Sequence, residues 1–176
     1  LNELQAKHKM EERSWIPEEC LREFFDLTTT PFHELVFYRE RGGCFEYLLS
    51  YRKYQYWDGF HVMGSMLRPG FPADPVGICE RLANQELPRG SAVRVKSVRI
   101  VSGLLWPEHK WCHPYATVCL VEWEGTINES DTIKFFSLDD LPPNMLPNHH
   151  AYLEQCERVL RTGEPLRFTA EHPQGS

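Results

Sequence analysis

The absences in this chain narrow it first. No apolar run approaches the twenty or so residues a membrane helix requires; the stretch at 118–121 is typical of its short ones. Residues 1–14, LNELQAKHKMEERS, alternate in charge and hold no apolar core of the kind a secretory leader needs. No C-x-x-C pair occurs. The six cysteines (Cys20, Cys44, Cys79, Cys112, Cys119 and Cys156) stand singly, and three lie in apolar periodic segments where a reduced thiol packs as a small hydrophobe. A disulfide framework is therefore not expected, and a reduced, cytoplasmic protein is. Basic residues are not gathered either. With a net charge of −6 and Lys and Arg scattered singly, no stripe exists to follow a nucleic-acid backbone. A small phosphate-bearing ligand needs only a few local donors and stays open. Internal repeats and low-complexity stretches are missing as well.

What is present suits one folded domain. The 176 residues are 41% hydrophobic and 25% charged, enough for a single core. Residues 1–13 read as a helical or loose lead-in, 14–163 as the domain and 164–176 as a polar tail. SWIPEECLREFF predicts a helix over 17–26 behind Ser14. HELVFYRE and CFEYLLSYR predict a hairpin closed by RGG at 41–43, and a short strand follows around 60–63. Asp74-Pro75 is a helix start, Val76, Cys79, Leu82 and Ala83 recur at helical spacing, and Pro88 with Gly90 ends the run. AVRVKSVRIVSG, PYATVCLVEWEG and KFFS read as strands. Asn148 is the expected cap of a last helix that turns Leu153, Cys156, Val159 and Leu160 inward and closes at Gly163. The pattern is mixed α/β and, alone, silent on function.

GSMLRPGFPADPVGICERLANQELPRG resembles the Nudix box, G-x5-E-x7-R-E-U-x-E-E-x-G-U, a loop–helix–loop in that superfamily. Gly64-Ser65 stands where the box has Gly-Gly, and Gly70-Phe71 where it has Gly-Glu. Two extra residues then lead to Arg81 at the box arginine, with Gln85-Glu86 at the paired glutamates. YLLSYRKYQYWDGFHVMGS resembles the family's approach to the box, IKFFSLDDLPPN resembles its late W-F-S-L-D-E-L-P segment, and SWIPEE resembles the start of some members. The likeness spans roughly residues 14–160 and implies an α/β/α sandwich on a mixed β-sheet. It also implies attack of water on a diphosphate-linked compound, with Mg²⁺ held by carboxylates on one helix face. Those positions here are Phe71, Leu82, Gln85 and Glu86, so one carboxylate of four survives.

A second pattern overlaps the first. Glu80-Arg81-Leu82 with Glu86-Leu87 resembles the helix of the GDP-mannose mannosyl hydrolases, as NMLPNHHAYL resembles their late segment. That branch uses one metal and a histidine base, and the matching position here is Ser130, between Glu129 and Asp131. The resemblance therefore implies Glu86, helped by Gln85, as ligands of one weakly held Mg²⁺, with Arg81 orienting the helix face or a phosphate. Glu129 and Asp131, with Glu122 and Glu124, are candidates for the missing base or ligand. Arg52, Trp57, Arg68 and His149 are candidate substrate contacts. The expected function is a hydrolase of a nucleoside-diphosphate-linked compound with a degenerate metal site. The alternative is an inactive module binding a nucleotide or a protein partner. Expected partners are a small nucleotide-like ligand and no nucleic acid or membrane, with a homodimer left open.

Other features have bland readings that weigh more. His109, Cys112 and His113 carry zinc-ligand chemistry but lack a properly spaced fourth ligand. Tyr54, Tyr56, Trp57 and Phe60 suit loop anchoring better than base stacking. His149 and His150 open a helix, and Ser137-Leu138-Asp139-Asp140 reads as a turn.

Overall fold

The structure is a computed structural model and describes residues 29–53, 58–66, 74–105 and 113–164. The elements run β1 (Thr29–Arg41), β2 (Cys44–Lys53), β3 (Asp58–Met66), α1 (Pro75–Glu86), β4 (Ala92–Leu105), β5 (His113–Thr126), β6 (Ile133–Ser137) and α2 (Pro147–Thr162). A single 3₁₀ turn at Leu138–Asp140 follows β6, on the residues read as a turn. The helix expected over 17–26 lies outside the described residues.

The strands form one six-stranded sheet in the order β4-β5-β1-β3-β2-β6. β1 runs parallel to β5, and every other named pairing is antiparallel. Gly42 and Gly43 both have positive φ, 61° and 81°, the conformation a two-residue hairpin turn needs to match strand twist. One feature of the sheet positions the site. β1 pairs with β3 through residues 32–35 and with β2 through 38–41, while β3 gives residues 58–62 to β2 and 63–66 to β1. The sheet forks where the three strands meet.

The strand alternation sorts into two layers. Leu35, Phe37, Leu48, Met63, Cys119 and Val121 pack in one cluster with Ile78, Cys79, Leu82 and Ala83 of α1. Val36, Tyr47, Leu49, Val62, Val118 and Leu120 pack in the other with Tyr152, Leu153, Cys156 and Val159 of α2. Period-two strands with a helix on each face make the expected α/β/α sandwich.

Asp74 caps α1, its carboxylate accepting the Gly77 N–H at 2.7 Å, with Pro75 in the first turn. α2 departs from expectation. It opens at Pro147 behind an extended Leu146 with no side-chain cap, so Asn148 is not the cap. Proline at the first helical position has its φ preset and no N–H to satisfy, which moves the boundary upstream. Asn148 instead donates to the Tyr152 hydroxyl at 3.4 Å. Gly163 closes α2 at φ 70°, its N–H reaching the Val159 carbonyl. Cys79, Cys119 and Cys156 are buried free thiols and Cys44 is exposed. Among the described residues no helix is long and apolar enough to cross a membrane.

Candidate functional site

The inward face of α1 decides what the helix can do. Residues 79, 82, 83 and 86 lie on one side of a helix, since neighbours three and four apart stack. Leu82 is 2% exposed and belongs to the core between α1 and the sheet. Glu86, one turn on, is carried to the edge of that core and is part-buried, whereas Gln85 points to solvent. Arg81 is half-buried on the same helix.

At the fork of the sheet an ion pair from two elements lies within electrostatic reach of an ionisable side chain from a third. Arg52 of β2 forms an ion pair with Glu86 through Nη2 and Oε1. The other oxygen of Glu86, Oε2, is buried without a hydrogen-bond partner. Glu34 of β1 completes the group. Burial raises its pKa well above the usual carboxylate range, the charge of Glu86 adds to the rise, and that of Arg52 opposes it. Glu86 is thus in contact with the guanidinium, and Glu34, whose neutral form burial favours, lies within electrostatic reach of both. Cys119 of β5 feels the same group: its thiol is pushed up to about 12, chiefly by burial and further by Glu34.

Gly64, paired with Glu34 across β1 and β3, shows how tightly this corner is packed. A Cβ there would overlap Oε2 of Glu34 and stand 2.9 Å from the His33 carbonyl oxygen. Beside it, His61 is 8% exposed. Its Nδ1 lies 2.6 Å from the Val62 carbonyl and donates to it, leaving Nε2 as a buried acceptor without a partner. Burial, helped by the positive Arg52, lowers its pKa to about 4, so His61 is neutral.

The other expected residues fall elsewhere. Glu129 belongs to a separate cluster, pairing with Arg39 at 2.7 Å and accepting the Phe135 N–H at 3.3 Å, while Arg39 also holds Glu46. Burial pushes its carboxyl up, but these bonds outweigh it and the pKa is lowered. Arg39 lies 4.0 Å over the Phe135 ring, which stacks on Trp123. Asp131 is fully exposed and pairs with Lys134. Glu122 accepts from Ser97, and Glu124 pairs with Arg94, both on the exposed β4–β5 surface. His149 is 4% exposed and its Nδ1 accepts the Val62 N–H at 2.8 Å, so it ties α2 to β3. Phe60 packs edge-on against Tyr51 and Phe136, an anchoring role. Trp57 and Arg68 lie outside the described residues, as do Phe71, Tyr54, Tyr56, His109, Cys112 and the side chain of His113. Glu34 and His61 escaped the sequence reading. The only signal was a carboxylate opening the apolar run LVF and a histidine just before the box-like Gly64.

The donor set does not fit Mg²⁺. That ion needs near-octahedral oxygen donors, several of them anionic, whereas here Glu86 is paired with an arginine and burial favours the neutral form of Glu34. Among the described residues no three His, Cys, Asp or Glu side chains group as a metal site. Two shallow hollows, of about 330 and 380 Å³, are lined by other residues, including Arg39 and Trp123 in one and Asn84 and Arg94 in the other.

No family model and no curated protein matches this sequence. Solved structures do match. The Nudix domain of Shewanella oneidensis NrtR, complexed with ADP ribose, aligns at TM-score 0.56 and 12% identity over 76% of this chain and 89% of its own. C. elegans Ap4A hydrolase aligns at 0.53 and 14% identity over 76% of this chain and 99% of its own. A UDP-X diphosphatase aligns at 0.53 and 15% identity, over 88% and 76%. Likeness at this identity is one of fold, and the chain has the Nudix fold.

Proposed function

We propose that this protein is a Nudix-fold module that binds a nucleoside-diphosphate-type ligand without metal-dependent cleavage of it. One observation carries the reading: Glu86, the surviving carboxylate of the box-like helix, is engaged by Arg52, while Leu82 is packed into the core. Cleavage of the kind the full Nudix box serves needs several carboxylates free to hold cations that neutralise the diphosphate. Here the helix presents one, already paired. Binding demands less. A guanidinium has five N–H donors in a fixed fork, and the Arg52 side chain is 29% exposed, so its outer edge can meet an anionic group. Arg81 would add positive charge from the same helix as Glu86. The ligand class rests on the fold neighbours, one of them complexed with ADP ribose.

One observation favours the second reading, a hydrolase of the same ligands with Glu86 and Gln85 as its helix donors. Oε2 of Glu86 has no partner and remains available as an acceptor. A single panel separates the two. The protein is incubated with ADP-ribose, nucleoside diphosphate sugars and dinucleoside polyphosphates, with Mg²⁺ or Mn²⁺, and followed by melting temperature and product release. The binding module predicts a thermal shift with no product. Turnover that is lost in Glu86→Gln would establish the hydrolase instead.

A further inference from the structure

We propose that the guanidinium of Arg52 is a built-in replacement for a divalent cation, seated on Glu86 at the fork of the sheet and closing that position to metal. The inference rests on the non-hydrolytic reading above and explains it. β1 and α1 each bring a carboxyl within reach of the other's charge, and a part-buried carboxylate calls for a positive partner. Arg52 supplies it from β2, pairing with Glu86. Arginine suits the task because it is always charged, planar and less strongly hydrated than an ammonium. Being tethered, it needs no supply from solution, and an incoming cation would have to displace it.

The surroundings retain unused acceptors. Oε2 of Glu86 is buried and unpartnered, and so is Nε2 of His61, close enough to Arg52 to feel its charge. Gly64 leaves room for the Glu34 carboxyl and for no side chain of its own. Removing the guanidinium while leaving Glu86 in place therefore frees both oxygens of that carboxyl as acceptors. A merely structural ion pair gives a different result: its loss destabilises the protein but leaves it indifferent to metal.

The test is a Mn²⁺ titration followed by the EPR signal of the free ion, on the unaltered protein, Glu86→Gln, Arg52→Gln, Arg52→Lys and Arg52→Gln/Glu86→Gln. Arg52→Gln is expected to bind one Mn²⁺ at least roughly tenfold more tightly than the unaltered protein. The double variant loses that gain, and Arg52→Lys, which keeps a positive charge, shows none. Binding by the unaltered protein that Glu86→Gln abolishes would overturn the proposal, as would a folded Arg52→Gln with no gain. If Arg52→Gln is unfolded alone, circular dichroism is repeated with saturating Mn²⁺. Recovery of the fold supports the proposal, and continued unfolding overturns it. No nucleotide enters these measurements, so turnover that survives Glu86→Gln defeats the functional reading alone, while Mn²⁺ uptake decides this one.

Discussion

Restoring a carboxylate at position 82 is the obvious attempt to rebuild a Nudix metal site, and the structure says that it breaks the protein instead. Leu82 is 2% exposed and packs with Leu35, Cys79 and Cys119 between α1 and the sheet. Replacing it by Glu forfeits about 1.5–3 kcal/mol of apolar burial. The new carboxyl must also stay neutral in that setting. Holding a glutamate with an ordinary pKa of about 4.3 in its protonated form at pH 7 costs roughly 4 kcal/mol. Together these come to about 5–7 kcal/mol, against the 5–15 kcal/mol that typically holds a domain folded. Leu82→Glu should therefore be marginal or unfolded at neutral pH. The native pKa of the introduced group lies above its unfolded value, so the ionisation penalty is absent below about pH 4 and grows as pH rises. Guanidinium chloride midpoints at pH 5 and pH 8 read this directly. The loss relative to the unaltered protein should be up to about 4 kcal/mol larger at pH 8. Leu82→Gln, similar in shape but without the charge, should lose a constant amount. Stability of Leu82→Glu within about 1 kcal/mol of the unaltered protein at pH 8 would refute the placement of this side chain in the core.

Two further perturbations probe the fork of the sheet. His61 has a folded pKa of about 4 against an ordinary 6.5, so its neutral form contributes stability above pH 6.5 that is lost as pH falls toward 4. That contribution is at most about 3 kcal/mol, and His61→Gln should flatten this limb of the pH–stability curve; an unchanged limb would contradict the assignment. Gly64→Ala drives a methyl into Glu34 and the His33 carbonyl and should cost roughly 1–3 kcal/mol in chemical denaturation. Combining it with Glu34→Ala should recover part of the loss, and strict additivity would show that the two positions do not touch.

Local chemistry was legible wherever one segment decides its own shape. Asp74-Pro75 and Gly163 are helix boundaries by side-chain and backbone conformation alone, and both are where the sequence puts them. The paired glycines after Arg41 require a hairpin for the same reason. Asn148 misled because two good start signals, an amide and Pro147, stand side by side, and the proline wins through its preset φ. The resemblance of GICERLANQELPRG to a Nudix helix identified which residue stands at each box position, but not what each touches. Leu82 could be read as a missing ligand; that it is a core residue required knowing which face of α1 meets the sheet.

The charged centre was not legible because it exists only in the register of three strands. Glu34 opens an apolar run in β1, and nothing in HELVFYRE distinguishes it from the solvent-facing residue of an alternating strand. Pairing with Gly64 and the fork of β1 between β2 and β3 bring it within electrostatic reach of Arg52 and Glu86. This placement also sets the two roles expected from the resemblance against each other. Arg52 was a candidate for the substrate and Glu86 for the metal, as though they acted separately. Bound together, each limits the other: a cation at Glu86 must expel Arg52, and a phosphate on Arg52 competes with Glu86 for the same donors. On the proposed reading such a site takes an anion more readily than a metal, since a metal must first displace the guanidinium from Glu86.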